Sequence, residues 1–119
     1  MGEQKKLHAE INRLWGVYEK CLPDIGRAYN ELPSEVYKDG ALSAKTKRLM
    51  ALTGALVHGC RACILYQADE ALTLGATAEE ILEACAVAIS LGGTMGAGET
   101  TRVVQFLEEK GLLENVSSE

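Results

Sequence analysis

Two cysteines, Cys60 and Cys63, are the residues of this sequence whose type and spacing best suit chemistry. On a helix, residues three apart lie on one face with Cα atoms about 5 Å apart, within the range that a disulfide spans. Cys60 falls at the predicted start of a helix, where free N–H groups and the helix dipole favour a thiolate. His58 and Arg61 place cationic or hydrogen-bonding groups nearby. The spacing therefore predicts a pair that cycles between dithiol and disulfide.

Metal binding and incidental packing are the alternatives for the same segment. His58, Cys60 and Cys63 supply three ligands, whereas structural zinc usually takes four. His8 or Cys85 would have to arrive from elsewhere in the chain, and an iron–sulfur cluster would lack one cysteine near the motif. We therefore expect neither a metal nor a bound cofactor.

Composition and charge limit the class of partner. The 119 residues fit one domain, and the net charge of −5 with scattered basic residues disfavours nucleic acid or an anionic membrane. No run approaches the length needed to cross a bilayer, and no targeting segment is visible. We expect a cytoplasmic protein, whose thiols are kept reduced. Cys21 and Cys85 are interpreted as core residues, because free cysteine behaves as a small hydrophobe.

Helix signals dominate the chain, and strand signals are nearly absent. Apolar spacing, N-caps and glycine stops predict helices over about 4–20, 23–32, 43–57, 60–75, 77–91 and 99–110, with a short helical piece at 34–37. Pro33 is expected to interrupt the second helix, and Gly92-Gly93 to end the fifth. The predicted fold is all-α, a bundle of about six helices.

The fifth predicted helix bears on assembly. From 84 to 91 it is apolar almost all the way round, so it needs cover on every side. In so small a chain the other helices enclose only a thin core. We therefore expect a homo-oligomer that buries part of this helix; the alternative is a central helix wrapped by the other five.

Three stretches of the chain together resemble one family. They are 42–52 (LSAKTKRLMAL), the Cys60-x-x-Cys63 pair, and 71–81 (ALTLGATAEEI). With Gly92-Gly93 and the closing 106–109, they resemble the AhpD-like branch of the carboxymuconolactone decarboxylase family. The motif-bearing part covers about 42–110 of what we expect to be a single domain over 1–119.

The resemblance implies an all-α, AhpD-like fold that assembles as a dimer, trimer or hexamer. It also implies thiol-dependent reduction of hydroperoxides. In that scheme Cys63 attacks the peroxide to give a sulfenic acid, and Cys60 resolves it to a disulfide. The reductant that the resemblance implies is external, a protein or a small dithiol of the dihydrolipoyl type.

Two positions depart from the family pattern. The glutamate that the family places ahead of the CxxC is Arg48 here, and the histidine after it is Gln67. Gln67 can hydrogen-bond a sulfur or a substrate but cannot act as a base near neutral pH, and Arg48 keeps its proton. Short relatives carry a histidine where this chain has Glu99. We hypothesise that Arg48 and Glu99 approach each other beside the cysteines and replace the usual acid and histidine; the alternative is that both are solvated surface charges.

Three functions are compatible with these residues. The first is a thiol-dependent peroxidase whose altered relay slows peroxide reduction or turns the protein toward disulfide exchange. The second is a non-catalytic oligomeric binding protein on the same fold, which the departures at Arg48 and Gln67 favour. The third, lactone decarboxylation, is less expected because that branch generally lacks the CxxC.

Overall fold

The computed structural model describes residues 2–113 of the chain. This part is helical, and residues 2–113 contain no strand. Its elements are α1 (Glu3–Cys21), α2 (Pro23–Val36), α3 (Ala44–His58), α4 (Arg61–Thr73) and α5 (Ala78–Glu109). The prediction of an all-α fold is confirmed.

Side-chain caps fix where α3 and α5 begin. The Ser43 hydroxyl accepts a hydrogen bond from the Thr46 N–H at 3.1 Å, ahead of α3. Thr77 and Glu80 form a reciprocal pair ahead of α5, each side chain accepting the other's backbone N–H at 3.1 and 2.9 Å. Such caps satisfy the donors that a helix leaves free at its first turn. Both helices begin within one residue of the predicted position.

Pro33 lies inside α2 and does not interrupt it, so the predicted break there is wrong. Proline lacks the N–H donor, but its carbonyl oxygen is intact and accepts the Tyr37 N–H at 3.0 Å. The helix therefore continues for one more turn, to Val36.

α5 consists of two helical segments that meet at a break where the sequence predicts a stop, at Gly92-Gly93. Its backbone bends at Gly93, which has φ 58° and ψ −132°, a conformation that glycine adopts readily. A Cβ atom on Gly96 would lie 2.7 Å from the Ala88 carbonyl oxygen. These two residues would be about 12 Å apart along a straight helix, so the bend brings the two halves together. Residues 2–113 thus form five helical elements, the last of them in two segments, where the sequence predicts about six helices.

The core lies between α3, α4 and α5. Its large, fully buried side chains are Leu52, Leu56, Ile64, Leu65, Ile81, Val103, Phe106 and Leu107. α1 is attached at its first turn, where the backbone N–H groups of Gln4 and Lys5 donate to the Glu109 carboxylate at 3.2 and 2.8 Å. The three helices that share the core, α3, α4 and α5, therefore also position the residues that surround the cysteines.

α2 packs mainly on α1, and its last residue also meets α3, because Lys47 Nζ donates to the Val36 carbonyl at 3.0 Å. It exposes an apolar stripe at helical spacing, formed by Ile25, Tyr29, Leu32 and Val36. The radius of gyration is 14.8 Å, above the value of about 13.5 Å expected for a compact domain of this length. Cys21, at the end of α1, is exposed, and its assignment to the core is wrong because this hairpin lies at the edge of the fold.

Among the described helices, α5 is long and apolar enough to cross a bilayer, judged by length and composition alone. That length is counted through Gly93, where the backbone is not helical, so α5 is not one continuous apolar helix and the segments on either side, 78–92 and 94–109, are each too short to cross a bilayer. In the apolar 18-residue stretch of α5 that reaches this length, only 22% is buried inside the chain. Val87, Leu91 and Met95 are exposed, so the other helices of the same chain do not wrap α5.

Candidate active site

Cys60 and Cys63 form a disulfide at the start of α4, with their Cα atoms 5.2 Å apart. Cys60 is the N-cap, and its sulfur accepts the backbone N–H of Cys63 at 3.3 Å. Cys63 is exposed and Cys60 is half-buried. The two sulfurs therefore share one helical turn that solvent reaches, which is the geometry that the spacing predicted.

A tight connection between α3 and α4 positions the pair. Gly59 ends α3 with φ 77°, and its N–H bonds to the Ala55 carbonyl at 2.9 Å. A Cβ atom on Gly59 would lie 3.6 Å from the Met95 sulfur. The segment just after the α5 bend thus lies beside the residue that precedes Cys60.

Arg48 and Gln67 are brought together across α3 and α4. Arg48 Nη1 donates to Gln67 Oε1 at 2.9 Å, and Gln67 follows Cys63 by one helical turn. The Arg48 side chain is only 8% exposed, and its guanidinium carbon lies 3.6 Å from the ring centroid of Tyr37. Arg48 is therefore a buried cation and not a solvated surface charge.

Tyr66 completes the surroundings of Arg48. Its ring centroid lies 5.4 Å from the guanidinium carbon, and about two fifths of the residue (39%) is exposed. Burial of the remainder, followed by the negative charge of Glu70, raises the pKa of Tyr66, so its hydroxyl stays protonated at neutral pH. Neither Tyr37 nor Tyr66 is among the site residues predicted from the sequence. The spacing of three from Cys63 could have indicated Tyr66, but no local signal connects Tyr37 with Arg48.

Glu99 does not pair with Arg48. Its carboxylate accepts from Arg102 Nε at 3.0 Å on its own helix, and within residues 2–113 no ion pair joins Glu99 to Arg48. The hypothesis that Arg48 and Glu99 approach each other, and so replace the acid and histidine of the family pattern, is therefore wrong. His58 is exposed in the last turn of α3, two residues before Cys60.

The remaining cysteines lie apart from this turn. Cys85 is buried on α5, and burial raises the pKa of its thiol to about 11. In the described part of the chain, no group of three or more His, Cys, Asp or Glu side chains is placed to hold a metal. Among the four cysteines, Cys60 and Cys63 are thus the pair at disulfide distance, whereas Cys21 and Cys85 are free.

The model of the carboxymuconolactone decarboxylase family matches residues 23–106. The chain belongs to this family. The resemblance that the motifs indicated is confirmed at the level of the family, and the match includes the cysteine pair together with Arg48 and Gln67.

Relatives and solved structures agree with the assignment. An uncharacterized protein of Cupriavidus necator is 31% identical over 99 residues, which cover 83% of this chain and 88% of the relative. A family member from Legionella pneumophila, solved in its apo form, has 28% identity and a TM-score of 0.83, covering 89% of this chain and 95% of that one. A family member from Thermotoga maritima has 33% identity and a TM-score of 0.77, covering 91% of this chain and 92% of that one. An antioxidative response is named as a candidate role of that protein.

Proposed function

We propose that the protein is a thiol-dependent oxidoreductase, which reduces hydroperoxides or disulfides by cycling Cys60 and Cys63 between dithiol and disulfide. The observation that carries the proposal is the disulfide at the start of α4, in which Cys63 is exposed. Reaction through a thiolate requires a sulfur that an oxidant and a reductant can both reach. The candidate role of the Thermotoga maritima protein in an antioxidative response supports the same chemistry.

In the peroxidase reaction, the exposed Cys63 thiolate attacks one peroxide oxygen. A sulfur–oxygen bond forms, the oxygen–oxygen bond breaks, and the leaving alkoxide takes a proton to become the alcohol. The Cys60 thiolate then attacks the sulfur of the Cys63 sulfenic acid. The disulfide forms as the sulfur–oxygen bond breaks, and the leaving hydroxide takes a proton to become water. Cys60 suits this second step because the N–H of Cys63, which its sulfur accepts in the disulfide, also stabilises negative charge on it.

An external dithiol closes the cycle. One of its thiolates attacks a sulfur of the Cys60–Cys63 disulfide, and a mixed disulfide forms as the other cysteine leaves as a thiolate. The second thiol of the reductant displaces the first cysteine, so the reductant becomes the disulfide and both protein thiols are restored. A dihydrolipoyl-type molecule or a reductant protein meets this requirement.

Disulfide substrates are the second candidate. Arg48 and Gln67 contact each other, and Gln67 lies one helical turn from Cys63. Neither side chain can exchange a proton near neutral pH. A leaving thiolate with a pKa of about 8.5 needs no acid, whereas a leaving alkoxide does. This environment therefore favours disulfide exchange over peroxide reduction.

Assembly and location form part of the proposal. Two exposed apolar stripes, one on α2 and one on α5, require cover, and a homo-oligomer such as a trimer or hexamer supplies it. We place the protein in the cytoplasm, where the dithiol form is maintained between reactions.

The test is oxidation of the reduced protein, followed by quenched-flow counting of free thiols. We use a Cys21→Ser background, because Cys21 is the other exposed thiol of the described residues. With tert-butyl hydroperoxide or a small disulfide, we expect the loss of two thiols per chain. Cys63→Ser should abolish the reaction, and Cys60→Ser should stop at a sulfenic acid that dimedone traps.

Two results would overturn the proposal. Thiols that stay reduced with both oxidants would leave a non-catalytic binding protein. Turnover of a carboxylated lactone that Cys63→Ser does not affect would instead favour decarboxylation.

A further inference from the structure

The orientation of the Gln67 side-chain amide is fixed by its partner. Arg48 Nη1 lies 2.9 Å from Gln67 Oε1. The arginine side chain carries only donors, so the amide oxygen must face the guanidinium, and the two Nε2 hydrogens must point away from it. The chain therefore presents Gln67 as a donor of fixed direction.

The guanidinium carries a charge that no carboxylate neutralises within residues 2–113. Arg48 takes part in none of the ion pairs of this region, and its buried Nε has no hydrogen-bond partner. Stacking on Tyr37 and the bond to Gln67 hold the group in place. Burying a cation without a counter-ion is costly, so an anion that forms nearby is stabilised.

The helical turn of Cys63 is where such an anion forms. Gln67 follows Cys63 by four residues on α4, and helical side chains lean toward the N-terminus of their helix. In the disulfide both sulfurs are uncharged, and no hydrogen bond joins them to Gln67. Reduction breaks the sulfur–sulfur bond and frees the Cys63 side chain to rotate, and the spacing of four residues puts its thiolate on the same face of α4 as the amide.

We propose that Arg48 is a positioning residue that holds the Gln67 Nε2 donors toward Cys63, so that the pair stabilises the Cys63 thiolate of the reduced protein. The inference rests on the proposed function and deepens it. It gives the two positions that depart from the family pattern an electrostatic role in place of proton relay. The thiol proton of Cys63 leaves to solvent, and Gln67 neither gains nor loses a proton.

Thiolate stabilisation has a consequence for the direction of the chemistry. A site that stabilises the reduced form more than the disulfide raises the reduction potential of the pair, which makes the disulfide a better oxidant. The oxidised protein is then reduced readily by dithiols. The preferred reductant is therefore a dithiol, and a disulfide serves as the oxidising substrate only if its own reduction potential lies above that of the Cys60–Cys63 pair.

The test is the pH dependence of Cys63 alkylation by iodoacetamide, in a Cys21→Ser/Cys60→Ser background that leaves Cys63 as the exposed thiol. With Arg48→Met, we expect the pKa of the Cys63 thiol to rise by about one unit. The alkylation rate at pH 6 should then fall about tenfold, while the rate at pH 10 stays unchanged. Arg48→Lys should recover part of the loss, because it keeps the charge but not the fixed geometry.

Two further variants keep the result interpretable if Arg48→Met folds poorly. Gln67→Glu keeps the shape and the contact to Arg48 but removes the donors, so it should also slow alkylation at pH 6. Arg102→Met removes a cation that pairs with Glu99 on α5, and it should leave the profile unchanged. In the chain with both Cys60 and Cys63, Gln67→Glu should lower the reduction potential measured against glutathione.

The outcomes separate this inference from the proposed function. A Cys63 profile that is the same in folded Gln67→Glu and in the unsubstituted background overturns the positioning role, even where both oxidants still consume two thiols. If neither oxidant consumes thiols, the proposed function fails, and the alkylation profile still decides whether Arg48 and Gln67 stabilise the thiolate.

Discussion

The guanidinium carbon of Arg48 lies 3.6 Å from the ring centroid of Tyr37, at the point where α2 ends. This contact, with the hydrogen bond that Lys47 Nζ donates to the Val36 carbonyl at 3.0 Å, joins the end of α2 to α3. It also shields the positive charge of Arg48, which pairs with no carboxylate in the described part of the chain. A cation held against an aromatic face in a desolvated place gains about 2 kcal/mol.

Replacing Tyr37 tests that contact. Tyr37→Ala should destabilise the protein by about 1–3 kcal/mol, because it removes the ring and exposes the guanidinium. Tyr37→Phe keeps the ring face and should stay within about 0.5 kcal/mol of the unsubstituted protein. The measurement is the free energy of unfolding in urea. Equal stability of the two variants would show that the ring contributes nothing.

Local signals were enough to predict much of the fold. Ser43 and the Thr77–Glu80 pair are caps that depend only on neighbouring residues, so the starts of α3 and α5 could be read from the sequence. The spacing of Cys60 and Cys63 is equally local, and it predicted a shared helical turn.

Contacts between distant elements could not be predicted in this way. The glycine pair predicted the break at Gly93, but not the close approach of the two halves of α5, because that approach depends on how the halves pack. The surroundings of Arg48 depend on Tyr37, which is separated from it by a loop. Glu99 pairs instead with Arg102, three residues later on the same helix. This i,i+3 spacing of opposite charges is a local signal that the sequence contains.

Gly96 and Gly98 form a matched pair for testing the bend in α5. A Cβ atom on Gly96 would lie 2.7 Å from the Ala88 carbonyl oxygen and 3.1 Å from the Ile89 Cα, and neither backbone atom can move freely. Gly96→Ala should therefore destabilise the protein by about 2–4 kcal/mol. No atom lies within 4 Å of the same position on Gly98, so Gly98→Ala should be neutral or stabilising by up to about 1 kcal/mol. Thermal unfolding compares them, and equal midpoints would contradict the close approach at Gly96.

Cys85 should be inert in the folded protein and should make stability depend on pH. Its thiol has a pKa of about 11, raised by burial from the ordinary value of 9.0. Between these two values the unfolded thiol has lost its proton and the folded thiol has kept it. The free energy of unfolding should therefore fall as the pH rises from 9 to 11. The slope of the unfolding free energy against pH, compared between Cys85→Ala and the unsubstituted protein, isolates this contribution. Cys21→Ser, which removes an exposed thiol, is the control.

Thiol counting checks the same residue without denaturant. At pH 8 a fully reduced native chain should react quickly with a thiol reagent at three cysteines, and at the fourth only after unfolding. Rapid labelling of Cys85 in the native protein would contradict its burial.

The exposed apolar stripe on α5 predicts how the assembly can be broken. Val87 and Leu91 lie one helical turn apart on the part of α5 that precedes the bend, and both are exposed, Leu91 to 70%. If a second copy covers this stripe, Leu91→Asp places a charge in a dry interface and should convert the oligomer to monomers. Light scattering with size-exclusion chromatography measures the mass. Leu74→Asp, at the exposed end of α4, is the control and should leave the mass unchanged. A monomeric unsubstituted protein, or an oligomer that Leu91→Asp leaves intact, would mean that α5 is not the interface.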